Sequence, residues 1–337
     1  MIPLPATPPS MADLPLNVLV LAVGSPLGQS IVKALQASRL PLRIHVADVG
    51  DLAAGFYLPG VHPVILPLVK DPAYFGQLDA YVREHGVRAV FPVIAPEHEF
   101  FSRHADHFRG AGVEVLSCSP EVYRLCNDKY ESMMHLRRMG VDAPDTTLCR
   151  DDEEVERFLA RNAFPVFVKP RAGASNADTF KIRDRDQLFG ILGAFPREYF
   201  VAQAFLDDPR DFTAGVYVSR DRSFKETLMI ERELKFGLSY RGRIFEDEAL
   251  SGFCLRVADA ISSHYSINVQ FKVVEGRPYA YEINPRLSST TSVRAHFGFN
   301  EPDMILHELQ GSLGAYGLAK RCGRFTRFWQ EHYLEDR

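Results

Sequence analysis

Three oxygen-bearing side chains, Gln270, Glu282 and Asn284, and one arginine, Arg286, stand at spacings that bring them together if residues 268–284 fold as a hairpin. The segment reads as two strands around Glu275-Gly276-Arg277, and folding it about Gly276 opposes Gln270 to Glu282. Asn284 lies two residues on, hence on the same face. Opposed positions are about 5 Å apart and i, i+2 positions roughly 6.7 Å, so the three side chains converge. All are hard oxygen donors of the type magnesium takes. One carboxylate between two amides is weakly charged for an isolated metal site, but it suits magnesium that also takes oxygens from a nucleotide's phosphates. Arg286, after Pro285 on the same side, adds a planar cation suited to a phosphoryl or carboxylate oxygen. Polar residues at period two are by default a solvated strand face; the arginine and the features upstream weigh against that default.

Those features are two lysines and a loop. Lys129 falls in the first turn of a helix expected over about 128–139, where the helix dipole disfavours a cation unless an anion is near. Lys169 ends a strand, Val-Phe-Val-Lys-Pro-Arg, and leads into Ala-Gly-Ala-Ser-Asn-Ala, small residues whose amides could approach phosphates closely. Taken singly, each is weak: Lys-Pro turns are common, and a small-residue run is a turn by default.

The elements that must hold these residues follow from the pattern. Strand-like runs at Val18 to Val23, Leu42 to Ala47, Val61 to Leu66, Ala89 to Val93 and Val113 to Leu116 alternate with helix-like stretches, the signature of a parallel doubly wound sheet. Beyond Pro120 the texture changes. Asp151 and Asp152 sit where a helix cap and first-turn acid belong, strands at Phe164 to Lys169 and Tyr199 to Gln203 flank a helix near 185–192, and alternating strands at Phe212 to Val218 and Lys225 to Ile230 precede a helix with Leu250, Cys254, Val257 and Ile261 on one face. The expected class is α/β followed by α+β.

Composition narrows the function. The 337 residues carry 39 basic and 43 acidic side chains, a net charge of −4, so no general basic field exists to hold nucleic acid. The longest aliphatic run is about a third of a membrane span. Five scattered cysteines without a Cys-x-x-Cys pair fit neither a disulfide framework nor a zinc knuckle, and point to a reducing cytoplasm. The proline-rich residues 1–15 lack the regions of a signal peptide and read as a disordered tail.

In order, Asn127-Asp128-Lys129, Phe-Pro-Val-Phe-Val-Lys169-Pro, Phe-Val-Ala-Gln203, Arg210-Asp211-Phe212-Thr213, Asn268-Val-Gln270-Phe and Glu282-Ile-Asn284-Pro-Arg286 resemble the ATP-grasp superfamily, above all its carbamoyl-phosphate-synthetase-like branch. The resemblance implies a Rossmann-like pre-ATP-grasp domain over 16–118 and an ATP-grasp domain over 119–337, with a small lid subdomain at about 141–205 and a C-terminal catalytic subdomain at about 206–337. It implies ATP and Mg2+ as cofactors. Lys129, Lys169 and Ser175 would meet the phosphates, Gln203 and the backbone of Ala204, Phe205 and Leu206 the adenine edge, and Asp211 the ribose. Gln270, Glu282 and Asn284 would bind magnesium, with Arg286, Lys169 and Glu282 at the catalytic centre. Three departures stand out: a single glycine in the loop 171–177, Ala204 where a glutamate is common, and Asp211 in place of a glutamate. The activity implied is a carboxylate-amine ligase that makes an acyl phosphate and releases ADP. Its partners would be a small-molecule carboxylate and an amine, with a homodimer left open and neither nucleic acid nor membrane involved.

Two other classes are carried beside it: an ATP-binding regulatory module without turnover, and a nicotinamide-dependent oxidoreductase. The second rests on Gly24-x-x-x-Gly28 with Asp48 twenty residues on, which lacks the three-glycine spacing of a dinucleotide site and reads better as a turn with a structural acid. His98, His104 and His107 cannot converge on one helix, since His98 and His107 are about half a turn of the wheel apart. Arg232, Lys235, Arg241 and Arg243 are candidates for a substrate anion. Residues 320–329, mixing cations with aromatics, read as a peripheral helix or a subunit contact rather than a nucleic-acid surface.

Overall fold

The computed structural model describes residues 15–173 and 178–335, so most of the proline-rich stretch, and Ser175, expected at the phosphates, lie outside the described residues. The chain divides between Leu116 and Ser117 into two compact units.

The first unit runs β1 (Leu16–Val20), α1 (Pro26–Gln36), β2 (Leu42–Asp48), β3 (Val61–Ile65), α2 (Tyr74–Glu84), β4 (Ala89–Phe91), α3 (Ala95–Gly110) and β5 (Glu114–Val115). Its five strands form one parallel sheet in the order β3-β2-β1-β4-β5. The aliphatic residues Val18, Leu19 and Val20 of β1 are wholly buried, as a central parallel strand requires. Ser25 caps α1 by accepting the Gly28 N–H at 3.1 Å, with Pro26 in the first turn. A Cβ on Gly28 would come within 2.6 Å of the Ala22 carbonyl, so the glycine permits the close approach of helix and strand. Asp48 accepts the Gly24 N–H and the Val49 N–H, both at 2.7 Å. Both its oxygens are thus engaged in the turn, as a structural acid's would be. Among the described residues no group of three or more His, Cys, Asp or Glu could hold a metal; His107 instead pairs with Asp79 at 2.8 Å.

The second unit opens with α4 (Pro120–Asn127) and α5 (Lys129–Arg138). Next come β6 (Thr146–Leu148), α6 (Asp152–Leu159), β7 (Val166–Pro170), β8 (Phe180–Ile182), α7 (Arg185–Ala194) and β9 (Phe200–Ala204). These four strands make an antiparallel sheet in the order β6-β9-β7-β8, closed by a core of Val155, Phe158, Val166, Leu188 and Phe200. Asp151 caps α6 by accepting from the Glu154 N–H at 2.8 Å.

The rest is built on β10 (Asp211–Val218), β11 (Lys225–Lys235), β12 (Leu238–Phe245), α8 (Glu248–Ala260), β13 (Tyr265–Val274), β14 (Arg277–Asn284), α9 (Thr291–His296), α10 (Glu301–Leu309) and β15 (Gly323–Thr326). The six strands form an antiparallel sheet in the order β14-β13-β10-β11-β12-β15. One face carries Phe212, Ala214, Val216, Val269 and Phe271 into a core with Phe253, Cys254 and Val257 of α8 and Met133 and Leu136 of α5. Alternation then puts Asp211, Thr213 and Gly215 of β10, with their partners Arg232 and Gln270, on the opposite face.

Residues 323–326 correct one expectation. They form β15 paired with β12, not a helix, and alternate between half-buried and exposed as an edge strand does. β8 and β12 were not foreseen either: the first is three residues long, and the second carries Gly242 and two arginines. Among the described residues no helix is long and apolar enough to cross a membrane.

Candidate active site

The hairpin β13–β14 turns tightly. Glu275 and Gly276 both have positive φ, 50° and 79°, the backbone of a two-residue turn that opposes Val274 to Arg277. A hairpin continued on that register would not face Gln270 to Glu282. A bulge at Tyr281 shifts the pairing by one, so that Gln270 opposes Glu282 and Asn268 opposes Asn284. The expected pairing is therefore present, but it is reached through a shorter turn and an extra residue. The bulge also lets Tyr281 and Glu282, neighbours in sequence, both bond to Gln270.

Glu282 is the centre of the site. Its Oε1 accepts from Gln270 Nε2 at 3.2 Å and from Asn284 Nδ2 at 2.8 Å. Arg286 Nη2 donates to Asn284 Oδ1 at 3.2 Å, and its Nη1 to the Leu287 carbonyl at 3.0 Å. Lys129 and Lys169 are only 6% and 7% exposed. Burial lowers the pKa of both, that of Lys169 to about 8, and the attraction of Glu282 opposes the shift in each case. Burial likewise lowers that of Arg286, again opposed by Glu282. Two buried lysines and a half-buried arginine thus share the carboxylate of Glu282, with Asp128 reaching Lys129 as well, and cations outnumber the carboxylates that face them.

Local structure fixes both lysines. Asp128 caps α5, accepting from the Tyr130 and Glu131 amides at 3.0 and 3.1 Å, which sets Lys129 at the first helical position. Lys129 Nζ donates to the Gly173 carbonyl at 2.6 Å, and the Gly173 N–H donates to Asn127 Oδ1 at 3.2 Å. The described start of the loop 171–177 is so tied to the α4–α5 junction, an anchorage strengthened by Arg171 pairing with Asp128 at 2.7 Å. Lys169, on β7, donates to the Tyr281 carbonyl at 3.2 Å.

At the expected adenine edge, β9 ends at Ala204, whose N–H donates to the Asp145 carbonyl at 2.9 Å. Gln203 is buried and donates to Thr146 Oγ1 at 3.1 Å. The Phe205 ring lies 5.5 Å from that of Phe167 and has Lys181 Nζ 3.9 Å from its centroid, and the Leu206 carbonyl accepts from Asp208. Asp211 accepts from Arg232 Nε at 2.6 Å and from the Tyr281 hydroxyl at 2.9 Å, so a ribose would have to share its oxygens.

Arg232 is placed otherwise than expected for a substrate anchor. Its side chain is 8% exposed and spans Asp211, Gln270 Oε1 at 2.7 Å and the Tyr281 hydroxyl at 3.2 Å. Arg243 and Arg241 pair with Glu231 and Glu233, and Lys235 stacks over the Phe236 and Tyr240 rings. The signal for Arg232 was available: two strands joined by Arg220-Asp221-Arg222-Ser223 oppose it to Asp211. Tyr281 gave none, because its position depends on the bulge.

Three family models cover consecutive parts of the chain: a PylC-like N-terminal domain over 18–116, a RimK-like ATP-grasp domain over 126–223, and the ATP-grasp in the biosynthetic pathway with Ter operon over 220–322. The chain is a member of the ATP-grasp superfamily. A D-alanine–D-alanine ligase of Phocaeicola vulgatus is 23% identical over 208 residues, which is 56% of this ATP-grasp chain and 64% of that protein, just under two thirds of its length. Among solved structures, N5-carboxyaminoimidazole synthetase from Staphylococcus aureus complexed with ADP superimposes with a TM-score of 0.72 at 13% identity, covering 93% of this chain and 81% of that one. N5-carboxyaminoimidazole ribonucleotide synthetase from Thermus thermophilus gives 0.69 at 16% identity, covering 90% and 79%. At such identities the likeness establishes the ATP-grasp fold: a parallel-sheet domain followed by antiparallel sheets.

Proposed function

We propose that this protein is an ATP-dependent ligase that activates a small carboxylate, an amino acid by preference, as an acyl phosphate and joins it to an amine, releasing ADP and phosphate. One observation carries the reading: buried Lys129 and Lys169 and half-buried Arg286 all feel the carboxylate of Glu282, with Asp128 adding to it only at Lys129. Buried charge persists only with compensation, and nucleotide phosphates would supply the missing negative charge. The relatives are named as ligases and synthetases, and one of those structures is an ADP complex.

The donor set fits the cofactors. Glu282 takes both amide donors on Oε1, leaving Oε2 clear of them, and the Asn284 carbonyl, which faces Arg286, would join it once that arginine turns to a phosphate, the oxygen chemistry that suits magnesium shared with phosphates. Bound there, MgATP would supply the phosphoryl group and the charge that neutralises it. Lys129 and Lys169 would hold phosphate oxygens, and the backbone of Ala204 to Leu206 would meet the adenine edge. Arg286, tethered to Asn284, is placed to steady charge that develops on the transferring group. No nucleophilic side chain is needed, since the carboxylate substrate attacks the phosphoryl group and the amine attacks the acyl phosphate.

The test is ADP release with a panel of amino acids and amines in the presence of magnesium. Carboxylate-dependent ADP formation supports the ligase. Tight nucleotide binding without turnover across the panel would favour a regulatory module instead.

A further inference from the structure

The side chains around Glu282 form a chain of five: Arg232, Gln270, Glu282, Asn284, Arg286. Each amide bridges a guanidinium to the same carboxylate oxygen. The orientation of both amides is dictated by chemistry, because a guanidinium only donates and an ionised carboxylate only accepts. The carbonyl oxygens of Gln270 and Asn284 must face the arginines and their NH2 groups must face Glu282.

The two ends of the chain differ in how firmly they are held. Arg286, among the described residues, donates to the Asn284 side chain and to a backbone carbonyl of its own loop, and it feels the charges of Glu282 and Tyr123. It can turn toward a phosphoryl group and release the Asn284 oxygen. Arg232 cannot turn. Its side chain is 8% exposed, it is bound through Nε to Asp211 at 2.6 Å, and the Tyr281 hydroxyl that it meets is itself bonded to Asp211 at 2.9 Å.

We infer that Gln270 is not a metal ligand but a hydrogen-bond donor that orients Glu282, and that Arg232 is the positioning residue that enforces this by holding the Gln270 carbonyl. The metal-binding oxygens are then those of Glu282 and Asn284, completed by phosphate and water. This inference rests on the proposed metal and nucleotide site, and departs from the ligand set that resemblance implies. It also accounts for the buried arginine, which would otherwise set a positive charge beside a divalent ion.

The probe is Mn2+ with ADP, followed by the paramagnetic signal of the bound ion. Gln270→Met, similar in length but unable to ligate through oxygen, is expected to change the Mn2+ dissociation constant less than about threefold, while Asn284→Ala raises it about tenfold or more. Arg232→Lys keeps a charge against Asp211, but one ammonium lacks the fork that reaches both Asp211 and Gln270. In that background the Gln270 amide is free to rotate, and adding Gln270→Met should now weaken Mn2+ binding at least about fivefold. A merely structural arginine would alter stability without making Gln270 matter to the metal. A roughly tenfold loss from Gln270→Met in the otherwise unaltered protein overturns the inference and leaves the site assignment standing. If the unaltered protein binds no ADP-dependent Mn2+, both fall.

Discussion

Gly215 on β10 lies directly against Arg294 of α9: a Cβ on that glycine would stand 2.6 Å from Arg294 Cζ and 2.6 Å from Glu301 Oε1. Arg294 and Glu301 are both fully buried and paired at 2.6 Å. The same guanidinium donates to Ser288 Oγ at 3.1 Å and Thr290 Oγ1 at 2.6 Å, in the loop that follows Arg286. The pair thus fixes one end of the sheet face on which, further along, the site is built. Gly215→Ala should destabilise the protein by about 2 kcal/mol or more through overpacking, seen as a lower urea midpoint at unchanged slope.

Glu301→Gln leaves Arg294 buried without its counter-charge. Breaking a buried pair by removing one partner costs about 3–5 kcal/mol. The expected result is a large fall in melting temperature, recovered in part by Arg294→Met in the same chain. A single-site loss within experimental error would mean that the pair is hydrated.

Lys169 gives a pH signature. Its pKa, lowered by burial to about 8 against the pull of Glu282 and with Lys129 adding to the fall, lies below the about 10.4 of an unfolded lysine. Nucleotide phosphates need the charged form, so affinity for ADP should fall as pH rises through about 8, approaching tenfold per unit. Stability of the nucleotide-free protein should move the other way over about pH 8 to 10.4, because there the unfolded chain holds the proton that the buried amine has lost. Lys169→Arg should keep ADP binding level to higher pH. Calorimetry from about pH 7 to 10 checks this, and an affinity flat across that range would count against Lys169 as a phosphate ligand.

Asp128→Ala removes the cap of α5 and the partner of Arg171 together. The cap alone is worth about 1 kcal/mol. Because Lys129 is the first residue of that helix, ADP affinity should weaken along with stability, whereas Asp151→Ala, which uncaps α6, should lower stability alone. Equal effects of the two variants on ADP binding would contradict the role given to Lys129.

Glu282 and Asn284 were legible as one face because they lie two apart on one strand, but whether Gln270 joins that face depends on the turn and the pairing register. The turn itself was not legible: Glu275 adopts positive φ without being glycine, and the one-residue offset this creates is cancelled by the bulge at Tyr281. Two local departures that cancel leave no trace in the pattern. The parallel sheet of the first unit was legible from its aliphatic runs, and α5 lies within the helix expected over about 128–139. The buried arginines were less so, since a sequence shows charge but not the carboxylate that another element brings to it. Arg232 thus looked like a surface anchor until β10 set Asp211 opposite it. Residues 323–326 were misread because four residues are too few for alternation to outweigh a run of cations, and their strand exists only through pairing with β12.

The most direct test of the site is ADP formation by Glu282→Gln beside Glu275→Gln, once a carboxylate and amine that support turnover are in hand. Both changes remove one charge from the same hairpin, but Glu282 receives both amides, while Glu275 sits exposed in the turn. Glu282→Gln should fold normally, retain part of its ADP binding through Lys129 and Lys169, and lose turnover on the order of a hundredfold or more. Glu275→Gln should turn over like the unaltered protein. If the two variants form ADP at the same rate, the hairpin is not the active site.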